Sequence, residues 1–101
     1  MNGCFLIPIY NHHETISSTV QHLLPFGFAI IIADDGSDSA TKAVLAELAQ
    51  RYAQVEIITL PQNGGKGAAM CAAMLRAHQL GFSHGLQLDA DGQHDVADVP
   101  K

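Results

Sequence analysis

Residues 29–37 read Ala29-Ile30-Ile31-Ile32-Ala33-Asp34-Asp35-Gly36-Ser37, and the fold follows from this stretch. From Ala29 to Ala33 the run is apolar without alternation, the pattern of a strand covered on both faces, and the acidic pair with Gly36 marks an abrupt turn out of it. A strand buried on two sides needs a layer above and a layer below it. Working outward, Cys4 to Tyr10 and Val55 to Leu60 are likewise nearly continuous, and Gly85 to Asp89 is a shorter fourth candidate. Helix-period segments separate them. Ile16, Val20, Leu23 and Leu24 recur at helical spacing, as do Val44, Leu45, Leu48, Ala49 and Tyr52. The third segment, roughly Gly67 to Leu80, is rich in alanine, which lets a helix lie close on a sheet. Pro25 and Gly27 end the first helix, Ser37 or Asp38 can cap the second, and Gly81 ends the third.

The order β-α-β-α-β-α-β predicts a Rossmann-like parallel sheet with right-handed crossovers and strand order 3-2-1-4. In that order the first and fourth strands meet where the winding reverses, and ligands bind beyond the carboxyl ends of the strands. Little chain lies between Asp89 and Lys101, so the fourth strand would be left as a bare edge, which invites further strands or a second copy. The expectation is a single N-terminal part, residues 1–101, of a larger domain whose remainder is absent, with self-association possible through the exposed edge.

Composition narrows the function classes. The chain has 101 residues, 48% of them hydrophobic, and five Lys plus Arg against ten Asp plus Glu give a net charge of −5. A broad basic surface for nucleic acid is excluded, and any phosphate partner must be held locally. Cys4 and Cys71 lack metal or disulfide spacing and fit a reducing compartment. No signal peptide pattern precedes the first strand, and no apolar run approaches a membrane span. The expected location is the cytoplasm, at the cytoplasmic face of the membrane if regions outside this chain supply an anchor.

Three polar clusters follow the predicted strand ends. Asp89-Ala90-Asp91 places two carboxylates at a strand exit, where a divalent cation relieves their repulsion, and Gln93 adds a neutral oxygen; an ordinary Asx turn needs the same residues. Asp34-Asp35-Gly36-Ser37 can accept hydrogen bonds from a nucleobase or ribose, or serve only as a turn and helix cap. Asn63-Gly64-Gly65-Lys66-Gly67 opens the third helix, where glycine backbone and a helix N-terminus favour anions and Lys66 adds a charge; a loop with a solvated lysine is the bland alternative. There is no P-loop and no GxGxxG. His22, His78 and His84 show no metal spacing and suit surface or packing roles, while Tyr10, Phe26 and Phe28 serve equally as packing or base-stacking groups.

Taken together, in order and on one edge, these pieces resemble the family 2 glycosyltransferases of the GT-A type. Ile7-Pro8-Ile9-Tyr10-Asn11 is similar to the family's I-P-x-Y-N, Asp34-Asp35-Gly36-Ser37 to D-D-G-S, and Asn63-Gly64-Gly65-Lys66-Gly67 to N-x-G-K-G. Asp89-Ala90-Asp91-Gly92-Gln93-His94 is similar to the D-A-D-x-Q-H of polyprenyl-phosphate sugar transferases. The resemblance covers essentially the whole chain. It implies inverting, metal-dependent transfer of a sugar from a nucleoside diphosphate sugar to an acceptor such as a lipid phosphate, a glycan or a lipid. The implied donor site comprises Pro8, Tyr10, Asn11, Asp34, Asp35, Lys66 and Asp89, with Pro8, Tyr10 and Asp35 lining the base pocket and Asp89 in the ribose and metal region. The implied metal, Mg²⁺ or Mn²⁺, is held by Asp89, Asp91 and Gln93, with Asp91 the principal ligand. Two departures stand out. His12 occupies a position where the family often has Glu, and the family's catalytic base lies in its later half, which places it beyond Lys101. This stretch alone is therefore expected to bind donor without turnover.

Two other classes compete on the residues. A non-catalytic Mg²⁺-binding α/β regulatory module of the receiver type would carry its acidic pair after the first strand, whereas here it follows the second. A dinucleotide oxidoreductase would need a glycine-rich turn after the first strand, which Pro8-Ile9-Tyr10-Asn11 does not supply.

Overall fold

The computed structural model describes residues 3–11, 13–60 and 64–87; of residues 13, 14 and 66 it describes the backbone alone. Several sequence expectations fall elsewhere. His12, Asn63, the implied metal ligands Asp89, Asp91 and Gln93, their neighbours Ala90, Gly92 and His94, and Lys101, past which the catalytic base is expected, all lie outside the described residues, as does the Lys66 side chain. The elements are β1 (Gly3–Ile9), α1 (His13–Leu23) with a 3₁₀ turn at Leu24–Phe26, β2 (Ala29–Asp34), α2 (Ser39–Arg51), β3 (Val55–Thr59), α3 (Gly65–Gln79) and β4 (His84–Gln87). All strand pairs are parallel and the sheet order is β3-β2-β1-β4, as the alternation of strands and helices predicts.

Strand periodicity divides the apolar runs between two cores. Phe5, Ile7 and Ile9 of β1, with Ile30 and Ile32 of β2, face Ile16, Val20 and Leu23 of α1 and Leu45 and Leu48 of α2. Cys4 and Leu6, with Ile31 and Ala33, face Ala69, Ala73 and Ala77 of α3. One helix covers this second face. It can do so because three methyl-sized side chains let its backbone approach the sheet. Near the amino end of the first core, Phe5 packs edge-on against Phe26 at 5.8 Å and against Phe28 at 5.6 Å, so both phenylalanines are packing groups.

The expectation that β3 is covered on both faces holds only in part: Ile57 packs on the first core and Ile58 on the second, but both are half-buried and only Val55 is fully buried, because β3 is the edge strand of the sheet among the described residues. At the other edge β4 is mostly exposed. The third helix starts two residues before the expected Gly67, at Gly65, for a reason that lies in the neighbouring loop.

Its end matches the glycine signal. Gly81 adopts φ +85°, donates to the His78 carbonyl, and is followed by Phe82 donating to the Ala77 carbonyl, the paired bonds of a Schellman cap. Phe82 then packs against the second core.

Pro8 is the last residue but one of β1, opposite Ala33. The Ile9 carbonyl accepts from the Asp35 N–H, so odd residues of β1 bond toward β2 and even ones toward β4. The donor that proline lacks is therefore missing on the β4 side, beyond the last described pair, Leu6 with Gln87.

Two substitutions test this packing by urea or thermal unfolding. Ala73→Leu forces a larger group between α3 and the sheet and should destabilise by about 1–3 kcal/mol. Thr41 is fully buried and its hydroxyl has no hydrogen-bond partner among the described residues, so Thr41→Val should stabilise by about 1 kcal/mol.

Candidate functional site

Parallel register brings the strand ends level. Ile9 pairs with Asp34, and Asp34 with Thr59, so three strands stop at one edge of the sheet. Backbone bonds continue past those pairs: the Asp35 N–H donates to the Ile9 carbonyl and the Leu60 N–H to the Asp34 carbonyl, both at 2.9 Å. The loops after β1, β2 and β3 thus emerge side by side.

Asn11, two residues past β1, has φ +58°. An asparagine tolerates this left-handed conformation better than most residues, and here the loop after β2 holds it in place. Its N–H donates to the Ser37 Oγ at 3.0 Å, and its Oδ1 accepts from the Asp38 N–H at 2.7 Å. Tyr10, between β1 and this clamp, is 47% exposed, an aromatic group displayed on the carboxyl edge. Pro8 is buried within the strand.

The two aspartates separate. Asp34 follows Ile30 and Ile32 onto the α2 face; Asp35, the next residue, goes toward α3. Asp34 is 1% exposed. Its Oδ1 accepts from the Ser37 N–H at 2.8 Å and its Oδ2 from Lys42 Nζ at 2.9 Å, beside a groove between α2 and β3 of about 460 Å³. Burial alone would raise the Asp34 pKa, but the bonds from Ser37 and the charge of Lys42 outweigh it and hold the carboxyl below its ordinary value. Asp35 is also buried, and its two oxygens accept from the N–H groups of Gly64 and Gly65, each at 2.8 Å. This contact explains the early start of α3.

Between the two caps considered for α2, Asp38 is the one used, accepting from the Thr41 N–H at 2.9 Å, while Ser37 turns to Asn11. Sequence reasoning passed over Lys42 as the counter-charge of Asp34 and Asp35 as the cap of α3. Lys42 lies one turn into α2 on the side facing the β2 end, a readable signal; Asp35 and Gly64 are 29 residues apart, and nothing local connects them.

Among the described residues no cluster of His, Cys, Asp or Glu could hold a metal ion, and His22, His78 and His84 are exposed. Asp89, Asp91 and Gln93, which lie outside the described residues, carry oxygen donors, the kind that hard divalent cations prefer.

Because Asp34 ionises more readily folded than unfolded, its contribution is fully present above the unfolded carboxylate value near 4 and is lost as pH falls through the lower folded value. Thermal unfolding followed from pH 6 downward should show wild type losing stability below about pH 4, and Asp34→Asn, weaker throughout, should lose less over that interval.

Comparison with known proteins places this arrangement. The family model described as "Glycosyl transferase family 2" matches residues 4–101. A dolichyl-phosphate beta-glucosyltransferase of Trichomonas vaginalis is 33% identical over 106 residues, which take in 93% of this chain and 31% of that protein. A UDP-N-acetylglucosamine–dolichyl-phosphate N-acetylglucosaminyltransferase of Methanococcus voltae is 33% identical over 109 residues, covering 95% of this chain and 43% of the relative. The chain thus spans less than half the length of these curated relatives. A solved mannosyltransferase from Pyrobaculum calidifontis, in complex with GDP-Man and Mn²⁺, superposes with a TM-score of 0.78 at 16% identity, over 89% of this chain and 27% of that one. The fold is the Rossmann-like nucleotide-binding arrangement of GT-A glycosyltransferases, and the chain belongs to glycosyl transferase family 2.

Proposed function

We propose that the protein transfers a sugar from a nucleoside diphosphate sugar to a polyprenyl phosphate, with inversion and with a divalent metal, and that this chain contributes the donor side of the site. The observation that carries the proposal is the level carboxyl edge. Tyr10, the Asp34–Asp38 loop and the glycine entry to α3 share that edge, next to the junction of β1 and β4 where the winding reverses. Ligands of parallel α/β sheets bind at such a junction.

In this reading the exposed ring of Tyr10 gives the nucleobase a face to stack on, and the Asn11 clamp keeps the ring at the edge. Asp89 would meet the ribose, and Asp91, with Asp89 and Gln93, would hold Mg²⁺ or Mn²⁺. Such an ion, when bound, supplies neutralisation of the charge that builds on the departing diphosphate. The lipid-phosphate acceptor is suggested by the names of both curated relatives, each a transferase to dolichyl phosphate. That acceptor would set the reaction at the cytoplasmic face of a membrane. Among the described residues no helix is long and apolar enough to cross one.

The test offers UDP-glucose, UDP-N-acetylglucosamine and GDP-mannose in turn to the purified protein, with dolichyl phosphate in detergent and Mn²⁺ or Mg²⁺. One donor should be consumed with formation of a lipid-linked sugar. Chelation should abolish the reaction, and Asp91→Ala should lower kcat/KM on the order of a hundredfold or more. Transfer that survives both chelation and Asp91→Ala would overturn the metal assignment, and a folded protein that binds none of the nucleotides would overturn the donor site.

A further inference from the structure

A carboxylate enclosed by protein stays charged and in place only where partners compensate it. Asp34 is 1% exposed; its Oδ2 accepts from the Lys42 ammonium at 2.9 Å and its Oδ1 from the Ser37 N–H at 2.8 Å. Lys42 lies outside the acidic loop, one turn into α2, with its side chain 44% exposed beside the groove between α2 and β3. From Asp34 the bonds run on without a break. Ser37, its N–H held by Asp34, accepts on Oγ from the Asn11 N–H at 3.0 Å, and Asn11 Oδ1 accepts from the Asp38 N–H at 2.7 Å. The Asp38 carbonyl then accepts from the Lys42 N–H at 3.0 Å. The path leaves Lys42 by its side chain and returns by its backbone, a closed ring through Asp34, Ser37, Asn11 and Asp38 that ties the loops after β1 and β2 to the first turn of α2. Asn11 is the member under constraint. Its φ of +58° persists only where the surroundings hold it, and Tyr10 directly precedes it.

We infer that Lys42 is a positioning residue for the nucleotide edge: by holding the Asp34 carboxylate in place it keeps the Ser37 turn that fixes Asn11 and, with it, the exposed ring of Tyr10. The inference rests on the nucleotide-sugar reading only for its effect on donor binding; the ring of bonds stands without that reading. Take away the ammonium, and Asp34 is left enclosed with one partner fewer. It recovers by turning toward water or by taking up a proton, and either change weakens the bond from Ser37. A lysine that merely anchored α2 would lower stability and leave Asn11 undisturbed. A lysine that met the nucleotide itself would weaken binding and also leave Asn11 undisturbed.

Lys42→Met keeps the aliphatic stem without the charge, and Lys42→Arg keeps the charge. Hydrogen exchange followed by NMR should show the Asn11 and Asp38 amides of Lys42→Met losing on the order of tenfold more protection than those of Ile31 and Ile32 in β2, which report the sheet. Lys42→Arg should restore most of that loss. The chain has two tyrosines and no tryptophan, so Tyr52→Phe leaves Tyr10 as the single tyrosine emitter. In that background UDP and GDP, each with Mn²⁺, are titrated against Tyr10 emission. Whichever binds should do so roughly tenfold more weakly in Lys42→Met and close to wild-type strength in Lys42→Arg. Asn11 and Asp38 protection that falls only in step with Ile31 and Ile32, or no recovery in Lys42→Arg, would overturn the inference. So would unchanged nucleotide affinity in a Lys42→Met protein whose Asn11 amide has lost protection. If wild type binds neither nucleotide, the donor reading fails, while the exchange comparison still decides whether Lys42 holds Asn11.

Discussion

The constraint on which the structure depends is the two-residue period of β2, buried on both faces. Because successive side chains alternate, Ile30 and Ile32 go to the α1 and α2 side while Ile31 and Ala33 go to α3. The same alternation continues past the last apolar residue and sends Asp34 and Asp35 in opposite directions. What reads in the sequence as a single acidic pair becomes two separate devices. One carboxylate meets a lysine on α2; the other meets the first amides of α3. A one-residue slip in the register of β2 would exchange them and put apolar groups on the wrong faces as well, so packing and polar contacts specify the same register.

The two faces achieve closure differently. On one, branched and aromatic side chains from two helices fill a deep core; on the other, a single alanine-lined helix lies directly on the strands. The second solution places the α3 backbone near enough to the end of β2 for the Asp35 side chain to span the gap. Close packing and the long-range cap are therefore connected. A bulkier α3 would stand off from the sheet and lose its start along with its contacts.

The legible parts of the fold were those written in local pattern. The bounds of β2, the sheet order, the alanine face of α3 and the glycine that ends it all follow from runs, periods and punctuation within one segment. The burial of β3 was misjudged because its sequence resembles an inner strand, and only the sheet order reveals that nothing pairs beyond it among the described residues. At the site, the family motifs identified which loops converge, and the structure brings three of those loops to one edge. What the side chains do within them was harder to read. Asn11 bonds to residues 26 and 27 positions away, and Asp35 to residues 29 and 30 away, distances at which single-sequence patterns carry no information about partners.

Pro8 carries a further consequence for the shape of that edge. Its ring removes a rung from the ladder on the side of β1 that faces β4, while the side facing β2 remains fully bonded through the odd residues. The consequence is chemical: an imino acid three residues before Asn11 has no N–H to offer on that flank of β1, so a carbonyl brought alongside it, whether from the chain or from a ligand, meets no donor there.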